Sequence, residues 1–390
     1  MPAAPGLGRW TVTTDASSSN KPGGAIARIG VLTGGGDAPG LNAVIRSVVL
    51  AALGRGWECH GIRDGFNGLL APDTCAGAPV QRLTAEDVHA IGHLGGTILG
   101  STNRGSPLRY PTRQPDGSLM EQDRTGEVVR LCRERGLDAL VVIGGDGSMG
   151  IAEALHRRGL RVVGVPKTID NDLVHTFSTF GFDTAVGFAT ECIDRLHTTA
   201  HSQHRVMVVE VMGRYAGWIA LHAGIAGGAH AILIPEIPYD IASVAAAIDR
   251  RERSGHHHSV VVVAEGAQPL AGQRQVQAAA EIGRAERLGG IGARVEAELA
   301  GLTGKECRSV VLGHLLRGGS PSSFDRVCAS RFGAAAVRAL AEGQAGVMVA
   351  LGWKAIDLVP LADVAGRTKT VHLNGDTVAT ARELGISLGD

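Results

Sequence analysis

The sequence predicts an α/β protein built on parallel sheets that are buried on both faces. Strand-like, mostly apolar runs recur along the chain, namely RIGVLT, LVVIGG, RVVGVP, VMVVEVMG, VVVVAEG and SVVLGH. Ala-rich, charge-bearing segments of helical character separate them, the alternation expected of strands covered on both faces by crossover helices. The 56 glycines, set against seven Phe, four Trp and three Tyr, suit a chain dense in strand-to-helix turns and poor in platforms for stacking bases. With 390 residues there is room for two or three such domains around a well-buried core.

Bulk chemistry excludes several function classes. Lys plus Arg equals Asp plus Glu at 38 each, so no global field draws the chain to nucleic acid or to an anionic membrane, and an anion must be held by a local cluster. The six cysteines are far apart and form no CxxC pair, which argues against a zinc or redox motif and for reduced thiols in the cytoplasm. No uncharged apolar stretch reaches 18 residues. Residues 1–24 lack an apolar core of signal-peptide length and read as a disordered arm.

Taken in chain order, Ala27 to Leu53 reads as a strand, then a loop of Gly34, Gly35, Gly36 and Asp37, then a helix with Leu41, Val44, Ile45, Val48 and Val49 at helical spacing. Ala139 to Gly150, ALVVIGGDGSMG, repeats the plan with one carboxylate, Asp146, in the turn. Paired glycines let backbone N–H groups close on phosphoryl oxygens, and a lone Asp at a strand end supplies a hard oxygen for Mg²⁺. A tight turn is the simpler account of either loop alone; two such loops in one chain point to phosphates. Neither is a P-loop, because no Gly-Lys-Ser/Thr follows, and GGGDAPG is not the GxGxxG of dinucleotide folds.

Next comes PKTIDND, Pro166 to Asp172. If the segment stays extended, Asp170 and Asp172 face the same side. Such a pair can divide its work, one near a metal and the other taking a proton from an attacking hydroxyl. Lys167 offers a mobile positive charge to a migrating phosphoryl group; an Asx-type turn is the alternative. Further on, the runs end in Arg214, Glu265 and His314. Ligands of open α/β sheets sit outside the carboxyl ends of the strands, so the polar ends Asp37, Asp146, Thr168 with Asp170, Arg214, Glu265 and His314 describe one cleft. Arg205, Arg214, Arg308 and Arg317 are read as margins of that cleft whose guanidinium forks suit a second phosphate, on the acceptor. His256, His257 and His258 are read as a solvated loop, and Gln268 to Gly290 as a loop or surface helix.

These residues resemble the phosphofructokinases. LTGGGDAPGLNAVIR, GGTILGS, GGDGS, PKTIDND, VMGRYAGW, VAEG and LGHLLRGGSP...DR stand in that family's order from about residue 27 to about residue 340. The resemblance implies two Rossmann-like three-layer α/β domains with mainly parallel sheets, a larger one for the phosphoryl donor (residues 25–181 with 315–365) and a smaller one for the sugar phosphate (182–314 with 366–390). It implies Mg²⁺-dependent transfer from ATP, or from pyrophosphate, to the 1-hydroxyl of fructose 6-phosphate. Carried over by position, Asp146 is the Mg²⁺ site, Asp170 the base, and Lys167 and Arg214 lie near the transferring group. Gly35, Gly36, Gly145, Gly147 and Ser148 hold the donor phosphates. Thr168, Ile169, Met212, Gly213, Glu265, His314 and Arg317 are substrate positions. In bacterial members the residues matching Arg205 and Arg308 come from a neighbouring subunit, which implies a homodimer or homotetramer with shared sites.

Three departures from the family pattern stand out. Lys167 replaces the glycine of strictly ATP-using bacterial members and marks pyrophosphate-using and mixed-substrate branches, whereas Gly147 is the small residue of ATP users. Gly147 weighs more, because a side chain there excludes a nucleotide while an added lysine excludes nothing. Asn103 stands where a nucleotide-contacting arginine is expected, with Arg104 one residue late. Leu50, His197 and His230 replace two arginines and a glutamate of the allosteric effector pocket. NAD and lipid kinases share a GGDG loop but lack PKTIDND and GHLLRGGSP, and an inactive paralogue is expected to have lost Asp146, Asp170 or Arg214.

Overall fold

All six apolar runs form strands, in two separate sheets of a computed structural model that describes residues 26–278, 282 and 286–390. The arm expected over residues 1–24 lies outside the described residues. The larger sheet has the spatial order Ile356–Pro360, Val347–Leu351, Arg161–Pro166, Ala139–Gly144, Arg28–Thr33, Glu58–Ile62, Val80–Leu83. Its two outermost strands run antiparallel to their neighbours and the rest are parallel. The smaller sheet is parallel throughout, in the order Cys307–Val311, Val206–Val211, Ser259–Ala264, Ala231–Leu233.

Each sheet is covered on both faces, which is why its central strands are buried along nearly their whole length and mostly apolar, Glu210 in Val206–Val211 being an exception. On one face of the larger sheet the helices Leu41–Leu53 and Ser323–Ala341 bury Val44, Ile45, Val48 and Phe332 against Val31, Val141 and Val163. On the other face Met149, Ala152 and Leu155 of the helix Asp146–Arg157 meet Leu140, Val142 and Val162. The smaller sheet has the same plan, with Ile193 of the helix Phe182–Gln203 and Ile219 of Trp218–Ala226 on one face, and Ile248 of Ile241–Arg253 and Val295 of Ile291–Thr303 on the other.

The chain passes between the two sheets three times: through residues 167–181, through 312–322, and through 365–375 to the helix Asp376–Glu383, which packs by Val378 and Ala381 against the smaller sheet. Ala38 and Ile169, on loops of the larger sheet, are fully buried in the core of the smaller one, which locks the two together at the carboxyl ends of their strands.

The stretch read as a loop or surface helix instead holds a short antiparallel pair, Val276–Ala278 with Arg287–Leu288. Residues 279–281 and 283–285 of it lie outside the described residues. No helix among the described residues is long and apolar enough to cross a membrane.

Candidate active site

Strand ends and turn chemistry place the first half of the site. Beyond Arg28–Thr33 the chain turns on Gly35, whose φ of 78° is left-handed, and a cavity of about 280 Å³ opens there, lined by Gly35, Gly36, Asp37, Ser101, Thr102 and Asn103 among others. A Cβ at Gly36 would lie 2.6 Å from Nη1 of Arg317, so a side chain there would have to displace that guanidinium, which donates to the Asp37 carbonyl at 3.2 Å. Beyond Ala139–Gly144, Gly145 caps the helix that begins at Asp146, where the Gly147 N–H donates to the Asp146 carboxylate, and a helix start of this kind favours an anion. Ser148 is buried with its hydroxyl wedged between Gly34 and Gly144, where a Cβ would come within 2.8 and 2.1 Å of it, so its backbone rather than its hydroxyl faces the opening. Gly147 is different: a Cβ there meets nothing within 4 Å. Asn103 lines the cavity; Arg104 is exposed and does not.

The carboxylates come from the loop after Arg161–Pro166. Its extended reading is corrected here: the backbone turns at Asn171, whose φ is 51°, because the buried Asn171 Oδ1 accepts from the Thr179 N–H at 3.2 Å and from the Lys369 ammonium at 2.8 Å. Asp170 and Asp172 therefore meet across a turn rather than on one face of a strand. Asp170 Oδ1 is buried without a hydrogen-bond partner in the protein. Burial holds the Asp170 carboxyl above the usual range, opposed by Arg317, Lys167 and Arg214 and reinforced by Glu265. Asp172 is pushed up to about 6 by burial, then by the charges of Asp170 and Asp146. Lys167 is buried, donates to the Gly36 carbonyl, and is pushed down to about 8 by burial and by Arg317, against the pull of Asp170, Asp172 and Asp37. The Thr168 carbonyl accepts from the Thr179 hydroxyl at 2.6 Å, while the Ile169 side chain is in the core, leaving only its backbone to the cleft.

The smaller sheet supplies the other wall. Gly213 (φ 141°) lets the chain turn after Val206–Val211, and the Glu265 N–H bonds the Val211 carbonyl at 2.8 Å as the neighbouring strand ends beside it. Met212 packs inward. Arg214 Nη2 donates to the Glu286 carbonyl at 2.6 Å. Burial raises the Glu265 carboxyl, with Arg214 opposing and the buried Glu210 reinforcing. His314, exposed, and Arg317 share the turn Gly313–Arg317.

Two arginines do not belong to this wall. Arg205 precedes the strand Val206–Val211 and Arg308 sits opposite Met207, so both lie at the amino end of the parallel sheet, a strand length from Arg214 and Glu265. The expectation of one shared cleft fails for them within this chain. Glu306 holds them together, 2.8 Å from Arg205 and 2.5 Å from Arg308. At the same end the solvated-loop reading holds for the exposed His256 and His257 but not for His258, whose ring packs edge-on against His197, His201 and His230 at 5.8, 5.3 and 5.7 Å. His197 Nε2 is engaged with the Gly227 carbonyl at 2.7 Å, and His230, pushed down to about 3 chiefly by burial, accepts from the Val260 N–H at 2.9 Å. Leu50 is partly exposed and apolar.

Mg²⁺ fits the donor side. Hard carboxylate oxygens of Asp146 and, nearby, Asp172 and the unpartnered Asp170 Oδ1 match its preference. Among the described residues no group of three or more His, Cys, Asp or Glu forms a metal cage. All six cysteines are free.

Glycine turns and a helix start beside a buried carboxylate, faced by the cations of the other wall, suit a phosphotransferase with an alcohol acceptor. The Phosphofructokinase family model matches residues 28–340. A protein of Chloroflexus aurantiacus named ATP-dependent 6-phosphofructokinase is 54% identical over 93% of this chain and 98% of its own. A pyrophosphate--fructose 6-phosphate 1-phosphotransferase of Amycolatopsis methanolica is 48% identical over 88% and 96%. Among solved structures, phosphofructokinase from Saccharomyces cerevisiae superposes with a TM-score of 0.71 at 29% identity, over 92% of this chain and 47% of the yeast chain. The chain belongs to the phosphofructokinase family.

Proposed function

We propose that the chain transfers the terminal phosphoryl group of ATP to the 1-hydroxyl of fructose 6-phosphate, giving fructose 1,6-bisphosphate. The observation that carries the choice of ATP is Gly147: open space stands beside the Asp146 turn, where the α-phosphate and nucleoside of a nucleotide need room. The 54% identical relative named as ATP-dependent supports it. Pyrophosphate is the second reading, favoured by Lys167 beside Gly35 and by the 48% identical pyrophosphate-using relative.

In this reading the glycine turns at Gly35, Gly36, Gly145 and Gly147 leave room for the donor phosphates to approach the backbone and the helix start, and Asn103 and Arg104 border the nucleotide. Asp146 holds Mg²⁺, which supplies neutralisation of phosphoryl charge when bound. The sugar phosphate lies against Thr168, Met212, Gly213, Glu265, His314 and Arg317, and Asp170 takes the proton of the 1-hydroxyl as it attacks. A carboxylate with one unsatisfied oxygen, kept basic by burial and kept ionised by Arg317, Lys167 and Arg214, suits that task. Lys167 and Arg214 then meet the charge of the migrating group.

Arg205 and Arg308 reach a substrate only in a neighbouring copy, so the working unit is a homodimer or homotetramer with shared sites. Residues 25–181 with 315–365, and 182–314 with 366–390, act as donor and acceptor domains, and the free thiols suit the cytoplasm. Purified protein with Mg²⁺ and fructose 6-phosphate, given ATP or pyrophosphate separately, tests the reading. Turnover with ATP is expected; turnover with pyrophosphate alone overturns the donor, and none with either overturns the activity.

A further inference from the structure

A short strap in the third crossing, residues 368–371, ties the carboxylate turn to the opposite wall. Thr368 bridges antiparallel to Leu173, and the Lys369 N–H donates to the Asp172 carbonyl at 2.7 Å. The Lys369 ammonium reaches into the turn, donating to Asn171 Oδ1 at 2.8 Å and to the carbonyls of Thr176 and Phe177 at 3.0 and 3.4 Å. On its other side Trp218 Nε1 donates to the Lys369 carbonyl at 2.9 Å, and the ammonium lies 5.7 Å from the Trp218 ring centroid. Val371 N–H and Gly217 N–H both bond the Glu236 carboxylate, at 2.8 and 3.0 Å. One strap thus grips the residue between Asp170 and Asp172 and also the turn that follows Arg214.

The Asn171 backbone needs such a grip. A non-glycine residue in the left-handed region is strained and persists where its surroundings over-determine it. Three carbonyl-type oxygens converge on one ammonium here, and bonds to a charged donor are roughly twice as strong as neutral ones. Asp170, by contrast, has no bond to its own Oδ1, so its position is inherited from the turn.

We infer that Lys369 is a positioning residue for phosphoryl transfer: through Asn171 it fixes where the Asp170 carboxylate stands relative to the Arg214 wall. This rests on Asp170 acting as the base. Lys369 touches no reacting atom; it acts through the geometry of the attack, where a misplacement of about 1 Å can lose about a hundredfold in rate.

The test is a double-mutant cycle on the full chain, in steady state with ATP and fructose 6-phosphate. Lys369→Met is expected to lower kcat by about tenfold or more while KM for fructose 6-phosphate moves less than about threefold, and Lys369→Arg to recover most of the loss. In the Asp170→Ser background Lys369→Met is expected to cost little more, because its route to the reaction is already gone. If Lys369→Met does not fold by thermal melt, Lys369→Gln, which keeps two donors without the charge, carries the same cycle. Wild-type kcat in a folded variant, or an equal loss in both backgrounds, overturns the inference. An Asp170→Ser protein of near wild-type kcat instead overturns the reading of Asp170 on which it rests.

Discussion

In the proposed reading the carboxyl ends of the two sheets solve the same problem, holding phosphate, with different materials. On the larger sheet the chain offers backbone: glycines at 34, 35, 36, 144, 145 and 147, and the start of the helix Asp146–Arg157. On the smaller sheet it offers side chains: Arg214, Glu265, His314 and Arg317. Backbone N–H groups and a helix start bind anions without titrating and without side-chain entropy, but they discriminate only by space. Guanidinium and carboxylate groups recognise a particular arrangement of oxygens, at the expense of strong mutual electrostatics. The perturbed groups accordingly crowd the junction and the acceptor wall, where Asp170, Asp172, Lys167 and Glu265 shift one another.

The largest effect is expected where the two halves meet. Asp170→Ser should lower kcat by about 10²–10⁴, the range for losing a general base, with fructose 6-phosphate binding little changed. Proton acceptance matters only as the hydroxyl attacks, so the loss belongs in kcat. Steady-state kinetics with equilibrium binding separates the two; near wild-type kcat removes Asp170 from the chemistry and makes the junction a structural seam.

A second substitution asks whether the backbone wall discriminates by space. Asp at Gly147 has room, with nothing within 4 Å of its Cβ, and an acidic residue in a helix's first turn is tolerated, so the fold should hold. Its carboxylate would stand where the α-phosphate of ATP must lie. Two like charges about 4 Å apart repel by roughly 4 kcal/mol at an effective dielectric near 20, and even a third of that is about tenfold in binding. Gly147→Asp should therefore lose about tenfold or more in kcat/KM with ATP and far less with pyrophosphate. Equal losses with both donors would mean that the donor wall does not choose by space at that point.

How much of this was legible in the sequence follows the same division. The six apolar runs became strands because burial on both faces leaves a continuous signal; Glu58–Ile62, interrupted by Cys59 and His60, and the three-residue Ala231–Leu233 gave none. Glycine loops and the helix starts behind them were local, hence readable. Side-chain geometry was less so. Arg205 and Arg308 border strands, but a border does not say which end, and in a parallel sheet the ends of a six-residue strand are roughly 20 Å apart. The turn at Asn171 depends on Lys369, nearly two hundred residues away, a partner no local pattern announces.

The smallest effect expected is on stability, and it tests whether the junction, unlike the glycine wall, carries an electrostatic cost in the folded chain. The Asp172 carboxyl rises from 3.8 to about 6 on folding, chiefly through burial and then through Asp170 and Asp146. Between those two values the folded protein holds a proton that the unfolded chain has released. Stability therefore falls as pH rises through that window, and the cost is fully present at pH 7. About two pH units at about 1.4 kcal/mol each sets an upper figure of about 3 kcal/mol, lowered by whatever water reaches the group. Asp172→Asn retains a polar side chain for Thr168 but carries no charge to desolvate. In magnesium-free buffer it should melt a few degrees above wild type at pH 7. The gain should shrink as pH falls below 6 and be small near pH 4, where the carboxyl of the unfolded chain is itself about half protonated. Melts at pH 4, 5 and 7 check the sign. An unchanged Tm at pH 7, or a gain undiminished at pH 4, would mean that Asp172 is no more strained than a surface carboxylate, and the contrast between the two walls would then rest on Asp170 and Lys167 alone.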